Sequence, residues 1–75
     1  MTSNMRSERV RIGMTAREVS DILGFSVNAL LRWEKGEAQP RSSSLIRLAR
    51  FYSCSPDYLL NLTDERNGKA IAREQ

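Results

Sequence analysis

The sequence has no histidine, and Cys54 is its only cysteine. A tetrahedral metal site needs about four Cys or His ligands, so a zinc finger is excluded. A lone cysteine forms no internal disulfide, and Cys54 is expected to be a small, buried apolar side chain. Without histidine the usual general base of nucleophilic catalysis is also missing. There is no Gly-rich phosphate loop and no pair of carboxylates placed to share a cleft. A chain of 75 residues has room for one domain and little room for an enzyme pocket. An enzyme is therefore the least favoured class, and no cofactor or metal is expected. Long apolar runs are absent too, none approaching the ~20 residues that cross a bilayer. The opening MTSNMRSERV has no apolar run after its charges and does not read as a secretory signal. The expectation is a cytoplasmic protein without membrane contact.

What is present is ordinary in amount and uneven in place. The composition is 40% apolar and 28% charged, as in a globular domain. The net charge is +3. Residues 1–50 hold nine Lys/Arg against five Asp/Glu, and residues 51–75 hold three against four. An excess of positive charge in the first two thirds suits a surface facing a polyanion, although many domains share such an excess.

The apolar periodicity is helical throughout, and no segment alternates as a half-buried strand would. The expected fold class is all-α, with five short helices. The first runs from about Ser3 to Ile12, with Met5, Arg9 and Ile12 on one face and Gly13 as its stop. The second begins at Thr15, which forms a capping box with Glu18, while Met14 and Val19 take the places of a hydrophobic staple. Val19, Ile22 and Leu23 are expected to form its buried stripe, ended by Gly24. After the turn Gly24-Phe25-Ser26, Ser26 caps a third helix from about Val27 to Lys35, which stops at Gly36. A fourth helix is expected from about Ser42 to Tyr52, with Leu45, Leu48, Ala49 and Tyr52 at helical spacing. Ser55 caps a short fifth helix with Pro56 at its first position. The domain is expected to span residues 1–62. Residues 63–75, polar apart from Ala70 and Ile71, are read as a flexible tail.

Two short helices joined by a three-residue turn are the geometry of a helix-turn-helix, whose second helix lies in the DNA major groove. On a 3.6-residue period Leu30 and Trp33, with Phe25, face the core, while Val27, Asn28, Leu31, Arg32 and Lys35 face outward. Asn can pair with adenine and Arg with guanine through two hydrogen bonds, and Asn28 and Arg32 stand one turn apart. Val27 and Leu31 could pack on thymine methyls, and Leu31 equally suits a partner surface. Taken singly, each polar residue here would be read as solvated surface. The constellation, flanked by Arg17, Lys35 and Arg41, favours base contact.

The stretch TAREVSDILGFSVNALLRWEKGEAQPRSSSLIRLARFY, followed by SPDYLL, resembles the lambda-repressor and Cro, or XRE, family of helix-turn-helix domains over roughly residues 5–62. The resemblance implies base reading by Val27, Asn28 and Arg32. It implies phosphate contacts from Thr15, Ala16 and Arg17 at the start of the second helix, and from Lys35 and the loop up to Arg41. It also implies a structural ion pair between Arg9 and Glu34. Three positions depart from the family pattern. Ala16 stands where Gln usually contacts a phosphate, Ser20 stands where Ala usually faces the third helix, and Arg41 stands where a capping Ser or Thr usually follows Pro40. The cap of the fourth helix is therefore expected to move to Ser42.

The leading reading is a sequence-specific regulator of transcription, a repressor, bound to double-stranded DNA as a homodimer on an inverted repeat. Half-sites would lie about one turn, ~34 Å, apart. Tyr58, Leu59 and Leu62 are the candidates for the dimer surface, with core packing as their alternative role. The third helix also resembles the reading helix of some antitoxins, which repress their own operon and bind a toxin. A protein-interaction module using the Val27–Leu31 face is a further alternative.

Overall fold

The computed structural model describes residues 3–68. Among them five helices occur and no strand: α1 (Asn4–Arg11), α2 (Ala16–Leu23), α3 (Val27–Lys35), α4 (Ser42–Tyr52) and α5 (Pro56–Leu59). The all-α expectation therefore holds.

Local chemistry sets most of the boundaries. Ser3 Oγ accepts from the Arg6 N–H and starts α1. The capping box of α2 is complete: Thr15 Oγ1 accepts from Glu18 N at 3.1 Å, and Thr15 N donates to Glu18 Oε1 at 2.8 Å. Gly24 ends α2 at φ 79°, a left-handed conformation that a side chain would strain. It turns the chain directly into Ser26, whose Oγ accepts from Ala29 N and starts α3. Ser55 caps α5 in the same way, with Pro56 at the first helical position. The fourth helix corrects an expectation. Its N-cap is Arg41, not Ser42, and no side chain caps it, because a guanidinium has no acceptor to offer.

The core comprises Met5, Val19, Leu23, Leu30, Leu48, Ala49, Tyr52, Cys54, Tyr58 and Leu59. Cys54 is buried, as expected. Ile22, assigned above to the buried stripe of α2, is instead 59% exposed. The stripe is Ala16, Val19, Ser20 and Leu23, at i, i+3, i+4 and i+7. The polar Ser20 takes the place in the stripe expected of Ile22. It is fully buried, and its Oγ has no partner among the described residues.

Helix α1 packs on α3 and α5, α2 on α3, and α4 on α5. Asn4 joins the two ends of the domain, its Nδ2 donating to Tyr58 O at 2.9 Å and its backbone N–H to Asn61 Oδ1 at 3.0 Å. The segment after Leu62, expected to be free, is folded back as far as residue 68. Ser55 N donates to Arg66 O at 2.6 Å, and Arg66 reaches the buried Glu8. The remainder of the expected tail, residues 69–75, lies outside the described residues.

Candidate nucleic-acid interface

Helix α3 is pinned on one side and open on the other. Leu30 is fully buried, Glu34 is 6% exposed, and the Trp33 ring packs on the core. The Trp33 and Phe25 rings meet edge to face with centroids 5.1 Å apart. On the opposite side Asn28, Arg32 and Lys35 are exposed, while Val27 and Leu31 are half-buried. Helical spacing therefore brings together all four expected base-reading residues, with two polar heads rising beside two partly covered apolar ones.

The expected ion pair is present. Arg9 Nε and Nη2 donate to Glu34 Oε2 and Oε1 at 2.8 and 3.0 Å, a bidentate contact from α1 to α3. Arg9 Nη1 also donates to Met14 O at 3.1 Å, just ahead of α2. Hydrogen bonding to Glu34 holds the Arg9 guanidinium above its usual pKa despite burial. One side chain thus joins the reading helix, α1 and the lead-in to α2.

The expected phosphate residues divide by environment. Arg17, Lys35 and Arg41 are exposed. Arg17 makes only a loose pair with Asp21 at 3.8 Å, between side chains 80% and 70% exposed. Such a pair is worth little in water and leaves the guanidinium available to an anion. The Thr15 hydroxyl and N–H are both engaged by the capping box, so Thr15 shapes the helix start and offers a phosphate little. Ala16 is half-buried against the core. The N–H groups of Ala16 and Arg17 have no intrahelical acceptor and form the positive end of the helix dipole.

Two of the three dimer candidates lie inside the domain. Tyr58 is 8% and Leu59 is 2% exposed, both in the core, so they cannot meet a second copy. Leu62 is 57% exposed and remains available.

Sequence reasoning missed two supports of this surface. Arg47 of α4 donates to Leu23 O at the end of α2, and its guanidinium lies 5.0 Å from the centre of the Phe25 ring. It thereby braces the turn from behind, 24 residues away from the carbonyl it holds. Glu8 of α1, 2% exposed, accepts from Arg66 Nε and Nη2 at 2.9 and 2.7 Å and from Arg11 Nε at 3.1 Å. Burial alone would push the Glu8 carboxyl up. The hydrogen bonds from Arg66 and Arg11 outweigh that and hold it below the usual carboxylate range. No local pattern signals the Arg47–Leu23 contact or the Glu8–Arg66 contact.

Residues 5–59 match the family described as Helix-turn-helix. The chain belongs to that family, the XRE or lambda-repressor-like helix-turn-helix DNA-binding domains. Over 60 residues it is 32% identical to Repressor protein C2 of Salmonella phage P22, covering 80% of this chain and 28% of that protein. Over 51 residues it is 43% identical to Antitoxin MqsA of Escherichia coli (strain K12), covering 68% and 38%. Over 55 residues it is 33% identical to Type II methyltransferase M1.ScrFI of Lactococcus lactis subsp. cremoris, covering 69% and 14%. The chain therefore spans less than half the length of each of these relatives. No solved structure matches it. Among the described residues no helix is long and apolar enough to cross a membrane.

Proposed function

We propose that this domain is a sequence-specific regulator of transcription that represses by placing α3 in the major groove of an operator. The observation that carries the reading is the pairing of exposed Asn28 and Arg32, one turn apart, on a helix whose other side is locked by Leu30, Trp33 and Glu34. A reading head must present its donors in fixed geometry, and the Arg9–Glu34 pair supplies that fixity. Asn28 and Arg32 make the polar base contacts, with Val27 and Leu31 against apolar base edges. Arg17, Lys35, Arg41 and the N–H groups of Ala16 and Arg17 hold the backbone. A single reading helix covers only a few base pairs, so the operator is an inverted repeat bound by a homodimer. Leu62 is the remaining candidate for its contact.

The test is binding to a preferred and an unrelated duplex as salt is varied. Asn28→Ala or Arg32→Ala should cost ~1–3 kcal/mol on the preferred duplex only. Equal losses on both would reduce these residues to phosphate contacts.

A second reading is favoured by the match to Antitoxin MqsA: a DNA-binding antitoxin that regulates its own operon and binds a toxin. A co-transcribed gene whose product is toxic alone and is neutralised by this chain would select it.

A further inference from the structure

A concavity of about 670 Å³ lies where the outer side of α1 meets the C-terminal end of α3. Arg6, Ser7, Val10 and Arg11 line it from α1, and Glu34 and Lys35 from α3. Its charge is one-sided. The Glu34 carboxylate is taken up by Arg9, and Arg11 pairs with Glu8. Arg6 and Lys35 have no acidic partner among the described residues. Beside them Val10 is 56% exposed, an aliphatic surface that the fold leaves uncovered.

Cations next to a small aliphatic patch match the chemistry of a nucleic-acid strand, in which charged phosphates alternate with apolar sugar edges. The groove is also continuous with the reading face. Lys35 lines it, and Lys35 stands one turn beyond Leu31 on the side of α3 that carries Asn28 and Arg32. We propose that this groove holds the phosphodiester backbone of DNA flanking the bases read by α3. Arg6 contacts a phosphate and Val10 lies against the sugar edge. The proposal rests on the reading of α3 as the major-groove helix, and it extends the footprint from α3 to α1. An acidic peptide of a partner protein would meet the same cations, but it would have no need of their continuity with the reading face.

The experiment uses the full chain and a preferred duplex whose flank on one side is shortened stepwise, with affinity measured against salt. On the long duplex Arg6→Ala, and Arg6→Gln alike, flattens the salt slope by about one ion. That corresponds to about eightfold weaker binding at 0.1 M salt, whatever the flanking bases. The difference from the unmodified chain disappears once the flank is too short to reach α1. Both variants melt as the unmodified chain does, since Arg6 is exposed. Unchanged affinity and slope on the long duplex overturn the proposal, even if the groove then binds a polyglutamate peptide. An Arg6→Ala loss that persists on the shortest duplex overturns it too. Asn28→Ala separates the two levels. If it weakens binding to the preferred duplex alone while Arg6→Ala changes nothing, only the groove fails. If it leaves preference intact, the reading of α3 fails with it.

Discussion

Arg66 reaches back across the domain to Glu8, its Nη2 2.7 Å and its Nε 2.9 Å from a carboxylate that is 2% exposed. The same guanidinium donates to Tyr52 O at 2.8 Å, at the end of α4. The residue that closes the domain therefore lies beyond α5, in the segment that composition alone marks as tail. Arg66→Ala should lower the melting temperature at neutral pH by roughly 5 °C or more, the scale of a charge-assisted hydrogen bond in a small domain. A chain ended after Leu62 should lose at least as much. If both melt as the full chain does, the domain ends at residue 62.

The same contact sets a pH dependence. The folded pKa of Glu8 lies below its unfolded value of about 4.5, so the stability it adds is present above that pH. It is lost as the pH falls through the lower folded value. Without Arg66 the carboxyl is left with burial and weaker partners, and its folded pKa rises. The difference between the chain and Arg66→Ala should therefore be widest near neutrality and shrink below about pH 4.5. Thermal melts from pH 3 to 7 would reveal it. A difference constant across that range would mean that Arg66 acts by packing alone.

The Arg9–Glu34 pair should be costly to break and cheap to replace. Their side chains are 12% and 2% exposed. Arg9→Met leaves Glu34 stranded and should cost about 3 kcal/mol or more in urea unfolding. Adding Glu34→Leu should recover most of that, because a buried pair is often matched by apolar side chains of similar volume. A double variant as unstable as the single one would mean that Arg9 matters chiefly for its bond to Met14 O.

Arg41 and Ser20 mark positions where stability has been given up. Arg41 stands at the N-cap of α4 and caps nothing. Arg41→Ser should add about 1 kcal/mol of stability. If Arg41 contacts a phosphate, the same change should flatten the salt slope of DNA binding by about one ion. A stabilised variant with an unaltered slope would remove Arg41 from the backbone contacts. Ser20→Ala removes a buried hydroxyl without a partner and should raise stability by about 1 kcal/mol with DNA binding unchanged. No gain would mean that the hydroxyl finds a partner in solution.

How far the sequence could be read follows from the range of the interactions. Thr15 with Glu18, Ser26 with Ala29, and Gly24 at the turn act over three residues or fewer, and their types alone announce them. The open face of α3 follows from helical period. The Arg9–Glu34 pair spans 25 residues, and only the family resemblance points to it. Glu8–Arg66 spans 58 and Arg47–Leu23 spans 24, and nothing in their neighbourhoods marks them. Ile22 lies at helical spacing from Val19 and is apolar, so period and hydrophobicity both admit it to the buried stripe, and only the packing of α2 shows that Ser20 holds that position. Tyr58 and Leu59 are as apolar as a dimer surface needs, and only their contacts show them to be core.

The central claim is that α3 reads base sequence. Its most direct test is selection of bound sequences from a random duplex library, run beside the Asn28→Ala, Arg32→Ala double variant. The unmodified chain should enrich an inverted repeat, its half-sites about one helical turn apart, that the double variant fails to enrich. No enriched motif, or one that the double variant still selects, would contradict it.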